Sequence, residues 1–440
     1  VDNQGKFLVE NKEDGSFYSL KRLFVPEEEA DPFYNGFANQ TMWPLCHIAF
    51  EKPEFRDDWF ESYKKVNKRF AEAIKSEIKG KTFVWIHDYQ LAMVPAYLDM
   101  LGKPKDAIVG LFWHIPWPTW EIFRILPQKK MILESMLKCD FIAFHRGYQT
   151  QNFIETVERE LECRVDREKS QIHYNKHITT VKPLPLGIDI DIISSLHEPK
   201  EKESLLRTLV RKLLGPKMAQ AGIENYFEQY KVILGIDRLD YTKGIPARLK
   251  AIDRFFELYP GYQGKVVYLS ILAPSREKIP SYQHLRKEVM RMVDEINAKY
   301  EKGNWKPIQI IYAVFKRKDL VNFYSKADLC LITPLDDGMN LVSKEFVISS
   351  SFSEDPGMLV LSQFAGSAID LTSALIVNPY DVDAVAKAMK QGLEMPKKER
   401  LERTQSMVET LKERNIYEWA QDFLKESEEA YRDNQMNGKK

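Results

Sequence analysis

The stretch Leu329-Cys-Leu-Ile-Thr-Pro-Leu-Asp-Asp-Gly-Met-Asn-Leu-Val-Ser-Lys-Glu345 constrains the fold more than any other part of the chain. An apolar run reads as a buried strand, Thr333-Pro334 ends it, Gly338 allows close backbone approach, and Asn340 to Val347 resumes as a helix. A strand that passes through a glycine turn into a helix start is a building unit of parallel α/β sheets. The first amides of such a helix lack internal acceptors, so the corner suits an anion. The macrodipole adds about 0.3–1 kcal/mol when the site is exposed and up to about 2 when it is partly buried. Glu345, further along the same helix, is within reach of a sugar hydroxyl. Taken alone, Asp336-Asp337-Gly338 reads more readily as a plain turn joining a strand to a helix.

At 440 residues and 44% hydrophobic, the chain has material for two or three domains with their own cores. Lys+Arg and Asp+Glu both total 64, so no net field draws it to nucleic acid or to an anionic membrane. Phosphate binding must then come from local placement. Cys46, Cys139, Cys163 and Cys330 lie far apart in mostly apolar surroundings, which favours reduced core thiols and the cytoplasm. No run approaches about eighteen apolar residues, and the opening Val1-Asp-Asn-Gln-Gly-Lys has no signal-peptide character, so a soluble, unexported protein is expected. The chain opens without an initiator methionine, which leaves room for an upstream segment.

In chain order, Tyr18 to Val25 reads as a strand, and aromatic clusters follow at Phe33 to Asn39 and Met42 to Leu45. Trp59, Tyr63, Val66, Phe70 and Ile74 carry helical spacing. Thr82 to Ile86 is a short strand ending in His87-Asp88-Tyr89. Gln90 to Leu101 reads as a helix, and Ala107 to Trp113 is a strand ending in His114. Phe141 to Phe144 is a third, leading into His145-Arg-Gly and a helix from Gln149. Histidines repeated at the carboxyl ends of strands point to a shared cleft. His173 and His177 have an i,i+4 spacing but sit in a β-leaning segment without an acidic partner, so no metal is expected. Val181 to Asp189 closes the first sheet. Asp189-Ile-Asp191 matches the Asp-x-Asp of metal-dependent sugar transferases, yet its place after a glycine turn suits helix capping better.

A charged stretch from Glu198 to Gly222 holds one basic helix and marks a domain boundary. The division expected is 1–222, 223–400, and a helical tail at 401–440 that packs across the domain junction. Strands at Val232–Ile236, Val266–Leu272, Gln309–Tyr312, Leu329–Ile332, Leu359–Leu361 and Ala374–Val377 alternate with helices, which makes a second doubly wound sheet. The strand at Ile236 ends in Asp237-Arg-Leu-Asp-Tyr-Thr-Lys-Gly244, where Arg238 and Lys243 flank a turn as a diphosphate clamp would. No Ser-His-Asp order, P-loop signature or Gly-x-Gly-x-x-Gly fingerprint is present, which disfavours hydrolases, NTPases and dehydrogenases. Two cations and a helix start on one domain, with histidine and aspartate at strand ends on the other, fit a nucleotide-sugar transferase.

The strings Val84-Trp-Ile-His-Asp-Tyr89, His114 to Phe123, Asp237 to Gly244, Asp337-Gly-Met-Asn-Leu-Val342, Leu361 to Gly366 and Ala374 to Tyr380 resemble the trehalose-6-phosphate synthase family, in order, from about Phe33 to the C-terminal helix. The resemblance implies an α/β GT-B fold with two Rossmann-like doubly wound domains around an interdomain cleft. It also implies retaining, metal-independent glucose transfer from a nucleotide-glucose to a phosphorylated acceptor. No cofactor is implied beyond that co-substrate, nor a nucleic-acid or membrane partner, and homo-oligomer formation stays open. Carried over by motif, Arg238 and Lys243 would bind the donor diphosphate with help from the backbone of Gly338, Met339, Asn340, Leu341 and Val342. Glu345 would hold the ribose. His114 and Asp337 would position the donor glucose, with Asp88 near the reacting centre. Tyr34, Trp43 and Arg276 would line the acceptor site, Arg276 meeting its phosphate.

Two departures stand out. The strand with an Asn-Arg pair and a Gly-Gly loop that opens such synthases is not in this sequence. Asp336 also stands where they usually carry arginine, which sets a negative charge beside the diphosphate corner. Phe144-His-Arg146 is similar to glucosylglycerol-phosphate synthases, so glycerol 3-phosphate is the alternative acceptor to glucose 6-phosphate. A catalytically weak sugar-phosphate-binding regulator is the alternative of a different class. The donor base is left open.

Overall fold

The structure is a computed structural model that describes residues 6–10, 16–197 and 218–437. The basic helix expected within 198–222 falls outside the described residues over 198–217. Among the described residues, no helix is long and apolar enough to cross a membrane.

The first unit is built on β3 (Thr82–His87), β4 (Ala107–Phe112), β5 (Phe141–Phe144), β6 (Arg164–Asp166), β7 (Gln171–Tyr174) and β8 (His177–Pro183), in the order β3-β4-β5-β8-β7-β6. β3, β4, β5 and β8 run parallel, while β6, β7 and β8 form an antiparallel meander. β4 and β5 are buried throughout and read as continuous apolar runs, as strands covered on both faces do. The Asp57–Glu77 helix buries Trp59, Tyr63 and Val66 and carries Asp57 and Asp58 in its first turn, where the macrodipole favours anions.

The second unit carries β9 (Lys231–Arg238), β10 (Val266–Ala273), β11 (Ile308–Tyr312), β12 (Leu329–Ile332), β13 (Met358–Ser362) and β14 (Leu375–Val377) in the order β11-β10-β9-β12-β13-β14. Every neighbouring pair is parallel. This is the doubly wound arrangement expected from the alternating pattern.

Several boundaries move. The first expected strand is β2 (Phe17–Lys21), paired antiparallel with β1 (Lys6–Glu10). The expected Gln90–Leu101 helix opens as the Tyr89–Leu91 turn and becomes α-helical only over Val94–Met100, with Pro95 in its first turn, where a missing N–H is harmless. Contacts group Val1–Cys46, Lys52–Pro183 and Phe423–Lys440 in one compact unit, and His47–Glu51 with Leu184–Asp422 in the other. The division thus falls at 183/184 rather than 222/223, because Ile188 and Ile193 pack into the apolar core of the second sheet. Met407, Val408 and Leu411 join that core too, so 401–422 is part of the second unit rather than a separate tail.

All four cysteines are thiols outside any disulfide, with Cys163 alone partly exposed. His173 and His177 lie on the β7–β8 hairpin, and the His177 ring meets the Cys139 carbonyl at 2.9 Å. Asp189 accepts the Ile192 amide at 2.9 Å and the Tyr417 hydroxyl at 2.8 Å, the capping duty foreseen for it.

Candidate active site

In the second sheet the strand order reverses between β9 and β12, and open α/β sheets hold ligands outside the carboxyl ends of the strands at such a point. Arg238 closes β9 and is exposed; Lys243 ends the Tyr241–Lys243 turn. Asp240 shapes that turn by accepting the Thr242 amide at 3.1 Å and its hydroxyl at 2.9 Å. Gly244 follows at φ +65°, and a Cβ there would lie 2.5 Å from the Thr333 carbonyl oxygen, so conformation and space both require glycine. The Leu335 amide donates to the Thr242 carbonyl at 2.8 Å and joins the loop after β12 to the loop after β9.

Beneath both loops lies Arg248, 1% exposed. Its guanidinium donates to Asp237 at 2.5 Å, to Thr333 Oγ1 at 2.9 Å and to the Lys243 carbonyl at 3.0 Å. One rigid fork therefore fixes the end of β9, the lysine turn and the end of β12 together.

Asp337 receives Lys243 Nζ at 2.5 Å and Asn340 Nδ2 at 3.0 Å. Burial works to raise the Asp337 carboxyl, but the Lys243 ammonium and the two hydrogen bonds overcome it and hold the pKa below its ordinary value. Asn340, at φ +70°, also caps the Leu341–Ser350 helix by accepting the Ser343 amide at 2.9 Å. The amides of Leu341 and Val342 sit in the first turn, which supplies no intrahelical acceptor for them. The close backbone approach read into Gly338 is present, and Gly366 is its other half: a Cβ on Gly366 would fall 1.9 Å from the Gly338 carbonyl oxygen. The Gly366 amide donates to the Asp337 carbonyl at 2.9 Å and the Ser367 amide to the Met339 carbonyl at 2.6 Å, which clamps the loop.

Glu345 is mostly buried and accepts Arg317 at 2.9 Å; burial raises its pKa against the pull of Arg317. Arg276 takes φ +46° and donates to Asp240 at 3.2 Å, with the Tyr282 hydroxyl bonded to both. Burial pushes the Asp240 carboxyl up, yet Arg276, Arg238 and Lys243 together pull it below its ordinary value. Asp240 is thus the shared anion of the three cations assigned to substrate phosphates, a role the sequence reading did not give it.

Asp336 does not point an uncompensated charge at the corner. Its carboxylate accepts the Ile48 amide at 2.9 Å and is 8% exposed. Burial first, and the neighbouring Asp337 charge next, push its pKa up to about 7. The charge inferred from sequence is therefore partly neutralised at neutral pH and turned toward the His47–Glu51 segment.

In the first unit, Asp88 stands at φ +71° directly after β3, a conformation that costs a non-glycine residue about 1–3 kcal/mol. Its amide donates to the Phe112 carbonyl at 2.7 Å and its Oδ1 accepts the His114 amide at 3.0 Å, so Asp88 and His114 come as a pair. His114 Nε2 lies 2.9 Å from His87 Nδ1, and the His145 Nε2 donates to the His114 carbonyl at 3.1 Å. Burial, reinforced by His145 and His87, pushes the His114 pKa down to about 2. Tyr34 and Trp43 lie along the wide Pro32–Met42 π-helix and the turn after it. Tyr34 is 46% exposed, while Trp43 is buried with its ring 6.1 Å from that of Tyr89. Asn39 links this region to the strand end, donating to the Tyr34 carbonyl and accepting from the Tyr89 hydroxyl. Among the described residues, no cluster of three or more histidine, cysteine or acidic side chains could hold a metal ion.

The profile of glycosyltransferase family 20 matches residues 8–429. The chain belongs to glycosyltransferase family 20. It is 35% identical over 413 residues to the UDP-forming α,α-trehalose-phosphate synthase A of Dictyostelium discoideum, covering 94% of this chain and 54% of that longer relative. Among solved structures, the E. coli trehalose-6-phosphate protein bound with UDP-2-fluoro glucose superposes with a TM-score of 0.85 at 32% identity, over 97% of this chain and 90% of that one. The UDP-forming synthase of Burkholderia xenovorans in complex with glucose-6-phosphate gives 0.85 at 29% identity, over 96% and 89%. The two Rossmann-like sheets are those of the GT-B fold, and the chain is a family-20 glycosyltransferase.

Sequence reasoning missed Arg248 and Asp240 at the corner of the second unit, and it placed His87 at a strand end without its pairing to His114. Arg248 had a signal: it interrupts the apolar face that Ile245, Leu249, Ile252 and Phe256 give their helix.

Proposed function

We propose that this family-20 enzyme transfers glucose, with retention, from UDP-glucose to glucose 6-phosphate and releases UDP and trehalose 6-phosphate. The observation that carries the reading is the corner of Arg238, Lys243, Asp337 and the Leu341–Ser350 helix start, where fixed cations and amides converge at the switch point of the second sheet. Breaking the bond from glucose C1 to the diphosphate leaves its electron pair on the β-phosphate. Preorganised donors there stabilise that charge, each typically worth about 2.7–4 kcal/mol. Lys243 then exchanges part of its contact with Asp337 for the diphosphate, and Asp337 with Asn340 remains to meet glucose hydroxyls. Glu345 suits the ribose, and Arg276 the acceptor phosphate, with Tyr34 and Trp43 along the acceptor. Same-face attack by the acceptor hydroxyl forms the new C1–O bond while its proton passes to the departing phosphate oxygen. In this reading the first unit is the acceptor side and the second the donor side, and neither step calls for a metal.

The acceptor assignment draws support from the relatives, one of which holds glucose-6-phosphate. Purified protein supplied with UDP-, ADP- or GDP-glucose and with glucose 6-phosphate or glycerol 3-phosphate tests it. UDP release that depends on glucose 6-phosphate, with an α,α-linked product, is expected. Release only with glycerol 3-phosphate would overturn the acceptor, and none with either, from folded donor-binding protein, would overturn the transferase reading.

A further inference from the structure

We propose that His87 is a positioning residue for His114, holding one ring nitrogen of His114 through a single shared proton and so fixing the orientation and tautomer of that ring at the transferred sugar. This rests on the reading of His114 as a donor-sugar group. β3 and β4 run parallel with His87 opposite Phe112, which brings the His114 ring past the strand end to within 2.9 Å of His87, Nε2 to Nδ1. Two imidazole nitrogens at that separation hold one proton between them: none sets lone pair against lone pair, and two set donor against donor.

The surroundings hold both rings in place. Trp85 stacks on His87 with centroids 5.0 Å apart, and Phe423 stacks on Trp85 at 4.5 Å. Phe112 and His145 flank His114 at 4.6 and 5.7 Å. His145 meets the His114 carbonyl with Nε2, so its own proton is on that atom and its tautomer is set. Burial lowers the pKa of both His87 and His114, which keeps the pair neutral through the physiological range. Within this unit, the described titratable groups around the pair are His145 from β5, Asp88 beside His87, and Tyr63 of the Asp57–Glu77 helix, which feels the Asp88 charge. The contact to His87 thus fixes the orientation of the His114 ring at the strand end. Groups that orient a reacting side chain in this way matter to the rate about as much as many direct contacts do.

Three forms of the full chain test this: wild type, His87→Phe, which keeps a ring against Trp85 without the hydrogen bond, and His87→Asn, whose amide can reach the Nδ1 position. Long-range proton–nitrogen spectra of histidine-labelled protein, with His114 assigned through His114→Asn, read the tautomer without any turnover. A single neutral tautomer is expected in wild type and in His87→Asn, and an averaged one in His87→Phe. With UDP-glucose and glucose 6-phosphate, His87→Phe should lose about 10–100-fold in kcat with a smaller change in donor KM, and His87→Asn should recover most of it. Because burial lowers the pKa of both rings, an acid limb from adding a second proton to the pair is expected below the ordinary imidazole range, and it should move to still lower pH in His87→Asn. An unchanged His114 tautomer in His87→Phe, or equal rate losses in the two variants, would overturn the proposal. If wild type itself fails to turn over, the function reading fails, and the tautomer measurement still decides the role of His87.

Discussion

The two Rossmann-like units place chemistry at the same location, the carboxyl ends of parallel strands, and furnish it in opposite ways. The first gathers neutral imidazoles, an aspartate in a strained conformation and a run of stacked aromatic rings. The second gathers fixed charges in buried pairs, Asp237 with Arg248, Asp240 with Arg276, Lys243 with Asp337 and Lys344 with Asp370. Sugar hydroxyls need short-range donors and acceptors that stay neutral. A departing diphosphate needs charge that is already in place, because reorganising water during the reaction would forfeit most of the gain. Buried pairs contribute little net stability, so their use here is to hold cations in position.

The largest test of this contrast is Arg248→Ala, which would leave Asp237 buried without its cation. Removing one partner of such a pair costs about 3–5 kcal/mol, and denaturant unfolding of the second unit should show it. A loss below about 1 kcal/mol would mean that these charges are as replaceable as rim charges on a protein surface.

Arg238→Ala separates function from scaffold, since Arg238 is exposed at the end of β9. Loss of one preorganised cation should lower kcat/KM by about 100–1000-fold with unfolding unchanged, and a near-normal kcat/KM would remove Arg238 from the diphosphate clamp. A smaller and more selective effect is expected from Arg276→Ala. The acceptor KM should rise about tenfold, equivalent to about 1.4 kcal/mol, and the donor KM much less. Equal rises would move the acceptor phosphate elsewhere and leave Arg276 as a partner of Asp240 only.

The second unit was the more legible of the two in sequence. Its four central strands are buried along most of their length, so apolar runs separated by helical patterns were visible without knowledge of contacts, and Arg238, Lys243 and the Asp337 to Glu345 corner lay at their ends. What escaped was anything that depends on two distant segments meeting. Arg248 spans β9 and β12, and Asp240 gathers Arg276 from 36 residues away. The fixed spacing of a motif cannot show such a meeting. In the first unit the repetition of histidine at strand ends was visible, but the pairing of His87 with His114 depends on the β3–β4 register. The domain division slipped for a related reason: the charged stretch near 198–222 marks a change in composition, whereas the packing of Ile188 and Ile193 decides which core the chain joins.

Asp336 gives the smallest effect on substrate binding and the finest test of how the second unit manages charge. Its carboxyl has a folded pKa raised to about 7, mainly by burial, from an ordinary value of 3.8. The folded state therefore favours the protonated form, and the associated stability is complete below about pH 4 and is lost as pH rises toward 7. Asp336→Asn keeps an acceptor for the Ile48 amide but cannot ionise. It should match wild type near pH 4 and exceed it at pH 8 by up to about 4 kcal/mol, the equivalent of a pKa raised from 3.8 to about 7, which already includes the Ile48 amide bond that favours the ionised form. Because the carboxylate is turned toward Ile48, UDP-glucose affinity at pH 8 should change by less than about threefold, under 0.7 kcal/mol. A stability gain with unchanged affinity would show that the charge reversal at this position acts on the His47–Glu51 segment. A large gain in affinity would instead place the Asp336 charge in the field of the diphosphate, and the second unit would then carry a negative group working against its own cations.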